Sequence, residues 1–262
     1  SVTSNIDSNS LVQKTVYPIL FSIAFAHLLN DLLQAVIPAS YPILKENFNL
    51  TFTQIGLITL AYQLAASILQ PVVGLYTDKK PKPFSQIFGM LFTLSGIVLL
   101  SYASNFFMII LSVVLVGIGS SIFHPEASRI SFLASGGKRG LAQSIFQLGG
   151  NAGTAIGPLL VALIVVPNSQ QHIVWFAVVA VIALFVLSKI GFWYQNHLSL
   201  RATNKAEIVL PDLSQAKIVS SVIILLIIIF SKFFYSASIS SYFTFYLMDK
   251  FNLSIRDAQF YL

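Results

Sequence analysis

The sequence predicts an all-α polytopic membrane protein, and three observations predict it. Hydrophobic residues fill 56% of the 262 positions and charged residues only 9%, whereas a soluble domain carries roughly 25% charged residues. Mean hydropathy is correspondingly high, at +0.80. Seven stretches reach the ~20 mostly apolar residues that cross a bilayer as a helix. The basic residues fall in alternate connections between those stretches, as the positive-inside rule requires. The 15 Lys and Arg against 9 Asp and Glu give a net charge of +6, but they form no patch of the kind that binds nucleic acid. With no cysteine, disulfides, thiol chemistry and Cys-ligated metals are excluded.

Taken in order, residues 1–16 are polar and read as a disordered cytoplasmic tail. The first apolar stretch, 17–44, is long enough to span rather than to serve as a cleavable signal. Further spans are predicted at 53–76, 84–103, 106–133, 141–166 and 172–194, closing a six-helix bundle over 17–195. Asp78, Lys79, Lys80 and Lys82 separate spans two and three, and Lys138 and Arg139 separate four and five. Residues 196–214, with Arg201 and Lys205, read as a cytoplasmic linker. A seventh span is predicted at 215–248, opening an incomplete second bundle over 215–262. The opposite connections carry little beyond Lys45, Glu46, Asp249 and Lys250. The N-terminus is therefore placed in the cytoplasm.

An internal repeat organises these spans. LKENFNLT at 44–51 returns as LMDKFNLS at 247–254, so Leu, an acid, Phe-Asn-Leu and a hydroxyl residue recur at an offset of 203. Such repeats mark transporters built from two related halves that handle substrate near the bilayer midplane. Thr51 and Ser254 are also natural helix N-caps, so local capping chemistry accounts for part of the similarity. On the two-half reading the chain stops soon after span eight begins, and a complete protein is expected to continue for four more spans.

Ionisable residues within spans cost from roughly 2.5 kcal/mol upward and usually face a cavity or a partner. HLLND places His27 and Asp31 one turn apart on one face, with Asn30 beside them, as a proton-accepting unit or a structural pair. In span four, SIFHPEASRI puts Glu126 and Arg129 three apart and His124 and Ser128 four apart, each pair able to meet. Pro125 frees a backbone carbonyl and favours a kink. Glu126 is thus a second proton-site candidate, while Arg129 reads equally as a site residue or as an interfacial charge. Lys232 interrupts an apolar run in span seven. The repeat offset brings it to the depth of Asp31, so an Asp31–Lys232 interaction or a shared anion site is expected.

In span five Gly149, Gly153 and Gly157 recur every fourth residue ahead of Pro158. This small-residue stripe suits close helix packing, or a smooth surface on which one bundle rocks against the other. Gln147 and Asn151, like Gln63 and Gln70 in span two, add polar lining or interhelical hydrogen bonds. No phosphate-binding loop is present, and the four histidines lack metal-ligand spacing. Neither an enzyme, a metal nor a cofactor is expected.

GLYTDKKPKP, from Gly74, resembles the loop signature of the major facilitator superfamily, with Pro81 where glycine is common. The Gly153-x-x-x-Gly157-Pro158 element resembles the span-five motif of that superfamily's drug antiporters. HLLND, FTQIGLITL, LQPVVG, SSIFHPEASR and GLAQSIFQLGGN resemble the fosmidomycin resistance protein family of bacterial efflux transporters, from about Tyr17 onward. The resemblance implies a major facilitator fold, of which this chain covers the N-terminal half, span seven and the start of span eight. It implies proton-driven export of a small anionic phosphonate antibiotic by a twelve-span inner-membrane protein, and the protein is expected to act as a monomer. Asp78 would then help latch the two halves, with Lys79 nearby. Asp31, Glu126 and His27 are the proton-coupling candidates. Lys232, His124, Arg129, Asn30, Gln147 and Asn151 are the substrate-binding candidates. Organic-anion uptake or exchange, and a non-transporting receptor or scaffold, are the alternative readings.

Overall fold

A computed structural model describes residues 14–203 and 214–262, and all regular structure among them is helical. The order is α1 (Tyr17–Ala39), α2 (Tyr41–Phe48), α3 (Phe52–Lys79), α4 (Ser85–Ser101), α5 (Phe106–Ala134), α6 (Arg139–Leu160), α7 (Phe176–Thr203), α8 (Gln215–Phe251) and α9 (Ile255–Tyr261). A π-helical turn, Val161–Val165, extends α6, and a 3₁₀ segment, Gln170–Trp175, leads into α7. Six of these stretches are long and apolar enough to cross a membrane, the first being α1 and α2 together. The remaining predicted span, the third at 84–103, is α4, which has 17 residues and is ~26 Å long at 1.5 Å per residue, at the lower end of the spanning range.

Three predicted boundaries move. The first span breaks at Ser40 and resumes as α2 as far as Phe48, because Pro42 lacks the N–H that would bond back across the joint. Helix α7 runs to Thr203, well into the expected linker, so Arg201 lies on its last turn. Thr15 and Val16, expected in a disordered tail, are tied to the end of α5: Val16 N–H donates to the Ala134 carbonyl at 2.9 Å and Thr15 Oγ1 to Ser135 O at 2.9 Å. The rest of that tail, residues 1–13, and the linker centre with Lys205 lie outside the described residues.

Helix α1 forms the core, packing against α5, α6 and α7, and its Ile23, Leu33, Val36 and Ile37 are fully buried. Helices α3 and α4 both pack on α5, and α4 also meets α7. The Gly149, Gly153 and Gly157 stripe lies directly on α1: a Cβ at these positions would strike Ala24, Leu28 and Ala35 respectively. The stripe is thus an intra-bundle seam, not the sliding surface between bundles that the spacing allowed. Pro125 lies within α5 without ending it, and Pro158 sits just before the π turn that widens the end of α6. On α8, Val222–Phe230 point outward on every side, as expected of a helix whose surroundings are apolar.

The repeat recurs in conformation. Asn49 and Asn252, 203 residues apart, close α2 and α8 in the left-handed region at φ 49° and 52°, and are the two non-glycine residues with positive φ among those described. Two residues on, Thr51 and Ser254 cap the next helices by accepting from Gln54 N–H at 3.2 Å and Asp257 N–H at 3.1 Å.

Candidate functional site

Two polar assemblies occupy the apolar bundle. The first is built on α1. Asp31 presents its two oxygens to two imidazoles: His27 Nε2 is 3.1 Å from Oδ2, and His124 Nε2, from α5, is 3.4 Å from Oδ1. His27 Nδ1 is 2.8 Å from the carbonyl of Phe146, and His124 Nδ1 is 3.0 Å from the carbonyl of Ser120. A carbonyl only accepts, so both rings carry the proton on Nδ1 and turn Nε2 toward the same carboxylate. In their neutral forms the two Nε2 lone pairs would face carboxylate lone pairs. A proton on either edge turns that repulsion into a charge-assisted hydrogen bond. The spacing of these atoms, all within 4.8 Å of one another, is short enough for a proton or another cation to bridge them.

The surroundings hold this geometry. His27 is buried and stacks on Phe146 at 3.9 Å between ring centres. Gly150 of α6 leaves room for both partners: a Cβ there would lie 2.5 Å from His27 Cε1 and 2.8 Å from Asp31 Oδ2. Asn30 Nδ2 donates to Asp31 Oδ1 at 3.1 Å, and Gln34 Nε2 approaches the same oxygen at 3.5 Å. Gln34 Oε1 in turn accepts from the Tyr62 hydroxyl of α3 and from Ser120 Oγ at 3.3 Å. Helices α1, α3, α5 and α6 therefore all contribute to the surroundings of one carboxylate.

The second assembly lies where α3 meets the end of α5. Arg129 Nη1 donates to Glu126 Oε1 and to the Thr77 carbonyl, both at 2.8 Å, while Nη2 reaches Thr77 Oγ1 at 3.3 Å and pairs with Asp78. Glu126 is fully buried. The guanidinium fork suits this work, because its planar donors bind a carboxylate and a helix terminus together.

The predicted residues thus separate. His27, Asn30 and Asp31 come together as their spacing predicts, and His124 joins them from α5, so two histidines converge although they lack metal-ligand spacing in sequence. Glu126 and Arg129 pair as expected. Asp78, the expected latch residue, pairs with Arg129 within the first half, and Lys79 beside it is exposed. His124 meets Ser120 rather than Ser128, since helical side chains lean toward the N-terminus. Gln147 donates to Asn151 at 3.2 Å on an exposed face of α6, and Gln63 and Gln70 are exposed on α3. Lys232 is not paired with Asp31: it is exposed, its ammonium lies over the Phe233 ring, and the buried residues of α8 begin at Ser241. Nine residues of helix, ~13 Å at 1.5 Å each, separate Lys232 from that contact zone. Gln34 and Ser120, three residues from Asp31 and four from His124, complete the cluster at helical spacings that the sequence shows. Tyr62 carried no such signal.

Known proteins are similar to this chain. The family model described as Major Facilitator Superfamily matches residues 23–262. The Fosmidomycin resistance protein of Escherichia coli (strain K12) is 54% identical over 250 residues, covering 95% of this chain and 61% of that protein. The uncharacterized MFS-type transporter YfnC of Bacillus subtilis (strain 168) is 45% identical over 251 residues, with the same coverage of 95% and 61%. The chain therefore spans about three-fifths of the length of both relatives. Among solved structures, a bacterial homolog of the human lysosomal transporter Spinster, inward-facing and occupied, superposes with a TM-score of 0.70. At 17% identity, over 95% of this chain and 57% of that one, it supports the fold alone. The family match across nearly the whole chain, the apolar helices and the repeated half-boundary agree, and this multi-pass membrane protein belongs to the Major Facilitator Superfamily.

Proposed function

We propose that the protein is a proton-coupled efflux transporter of the bacterial inner membrane, its N-terminus cytoplasmic, that exports a small anionic antibiotic such as fosmidomycin by alternating access. The observation that carries this reading is the convergence of His27 and His124 on Asp31 between α1 and α5. With protons on its edges the cluster is closed and draws α1, α5 and α6 together. Without them, two imidazole lone pairs face a carboxylate and the helices part. The opened space admits the anion, with Lys232, Asn30, Gln147 and Asn151 as candidate contacts. Proton and substrate then favour opposite arrangements of these helices, which is the requirement for exchange. Glu126, tied to Arg129, is the second proton candidate. The membrane potential supplies roughly 2.3 kcal/mol per elementary charge per 100 mV to such a cycle.

The test is fosmidomycin tolerance in cells expressing the complete protein, together with fosmidomycin movement in everted vesicles under an imposed proton gradient. The wild type should raise tolerance and accumulate drug only with the gradient, and Asp31→Asn at equal protein level should do neither. Gradient-independent accumulation, or undiminished activity in Asp31→Asn and Glu126→Gln, would remove the proton carriers named here. Transport in the opposite direction would point to anion uptake instead.

A further inference from the structure

Because α3 and α4 both seat on α5 rather than on each other, a cleft remains between them at the end carrying the 80–84 connection. It holds about 400 Å³ and is walled by Val73, Tyr76, Phe84, Phe88 and Ile122, with Thr77, Lys82 and Ser85 at one end. Phe88 and Tyr76 are more than half exposed at its rim. Lys79, Lys80 and Lys82 are exposed around that end, and among the described residues none of them makes an ion pair. The one acid of the connection, Asp78, is already engaged by Arg129. The cleft therefore joins an apolar slot to uncompensated positive charge.

We propose that this cleft is a binding site for an anionic phospholipid, with one acyl chain between α3 and α4 and the headgroup against Lys82, flanked by Lys79 and Lys80. The apolar walls suit a hydrocarbon chain and would leave the backbone groups of an inserted protein segment without partners. Basic clusters beside spanning helices attract anionic headgroups. Ser85 Oγ is buried without a hydrogen-bond partner and α4 starts without a side-chain cap, so the headgroup end also offers an unused hydroxyl. Thr77 belongs both to the cleft and to the Arg129 clasp, so lipid in the cleft bears on the geometry of that clasp. The inference does not depend on the transported substrate.

The test uses the complete protein in phosphatidylcholine nanodiscs, with every native tryptophan, Trp175 and Trp193 among them, replaced by Phe so that Phe88→Trp is the sole indole. Phosphatidylglycerol brominated on its acyl chains should quench the cleft indole at several-fold lower mole fraction than brominated phosphatidylcholine. The preference should vanish in Lys79→Gln/Lys80→Gln/Lys82→Gln. A Phe107→Trp indole, exposed at the other end of α5, should show no preference. Native mass spectrometry, which needs no tryptophan changes, should retain phosphatidylglycerol on the wild type and lose it from the triple variant. Equal quenching by the two lipids at the cleft, or a preference that survives the triple variant, would overturn the proposal.

Discussion

At the residue scale, the centre of the site is a carboxylate whose neighbours have fixed tautomers. Because both Nδ1 atoms are held by carbonyls, replacing either imidazole with an amide removes one edge of the cluster and leaves the other. His27→Gln and His124→Gln should each weaken gradient-driven transport in vesicles without abolishing it, and the double variant should behave as Asp31→Asn. Gly150→Ala is the sharper steric test. Its methyl would press on His27 and Asp31 together, and overpacking of this kind typically costs about 1–3 kcal/mol. The variant should melt at lower temperature in detergent and lose exchange. His27 and Asp31 were legible as a pair from their spacing. The setting of His124 in an apolar run marks it in the sequence, but spacing alone does not say whether it leans toward Ser120 or Ser128. Tyr62 could not be read at all, since its role depends on how α3 is rotated against α1.

At the scale of elements, the number and approximate limits of the helices follow from apolar length, but their ends follow from backbone chemistry. Ser40 separates α1 from α2 because of Pro42, and α7 outruns its apolar segment because helix formation does not require a lipid surface. The cap at Thr51 is complete, with Gln54 returning a bond to the Thr51 N–H at 2.9 Å. Thr51→Ala should therefore cost about 1 kcal/mol, read as a lowered melting temperature. The α1–α6 seam is less forgiving. Gly153→Val would force apart two helices whose backbones touch at Leu28, and should leave a protein that melts early and transports nothing even though no polar group has changed. The regular glycine spacing announced close packing. It did not announce the partner, and the partner turned out to be a helix of the same half.

For the whole molecule, the repeat predicts contacts as well as sequence. Adding 203 to Ala39 and Gly56 gives Tyr242 and Gln259. Gln259 Nε2 donates to the Ala39 carbonyl at 2.8 Å, and the Tyr242 hydroxyl lies 3.0 Å from where a Gly56 Cβ would be. The pairs 39/259 and 56/242 are thus one contact seen twice across a pseudo-two-fold axis. As the chain has no native cysteine, Ala39→Cys/Gln259→Cys and Gly56→Cys/Tyr242→Cys can each be bridged by a short bifunctional thiol reagent. Both bridges should form and both should arrest exchange in vesicles. Full transport in the bridged protein would show that this contact stays closed throughout the cycle.

By itself the sequence determined the solvent, the helix count of the first half, the repeat and the residues too polar to lie idle in lipid. These depend on composition, period and spacing, which are properties of the chain read in order. Only the tertiary structure decided which charges meet. Arg129 clasps Asp78 and Glu126, Asp31 lies between two histidines rather than against Lys232, and the glycine stripe receives α1. Each of those outcomes depends on the rotation and depth of one helix against another, set by the packing of side chains on both, and no single span encodes it.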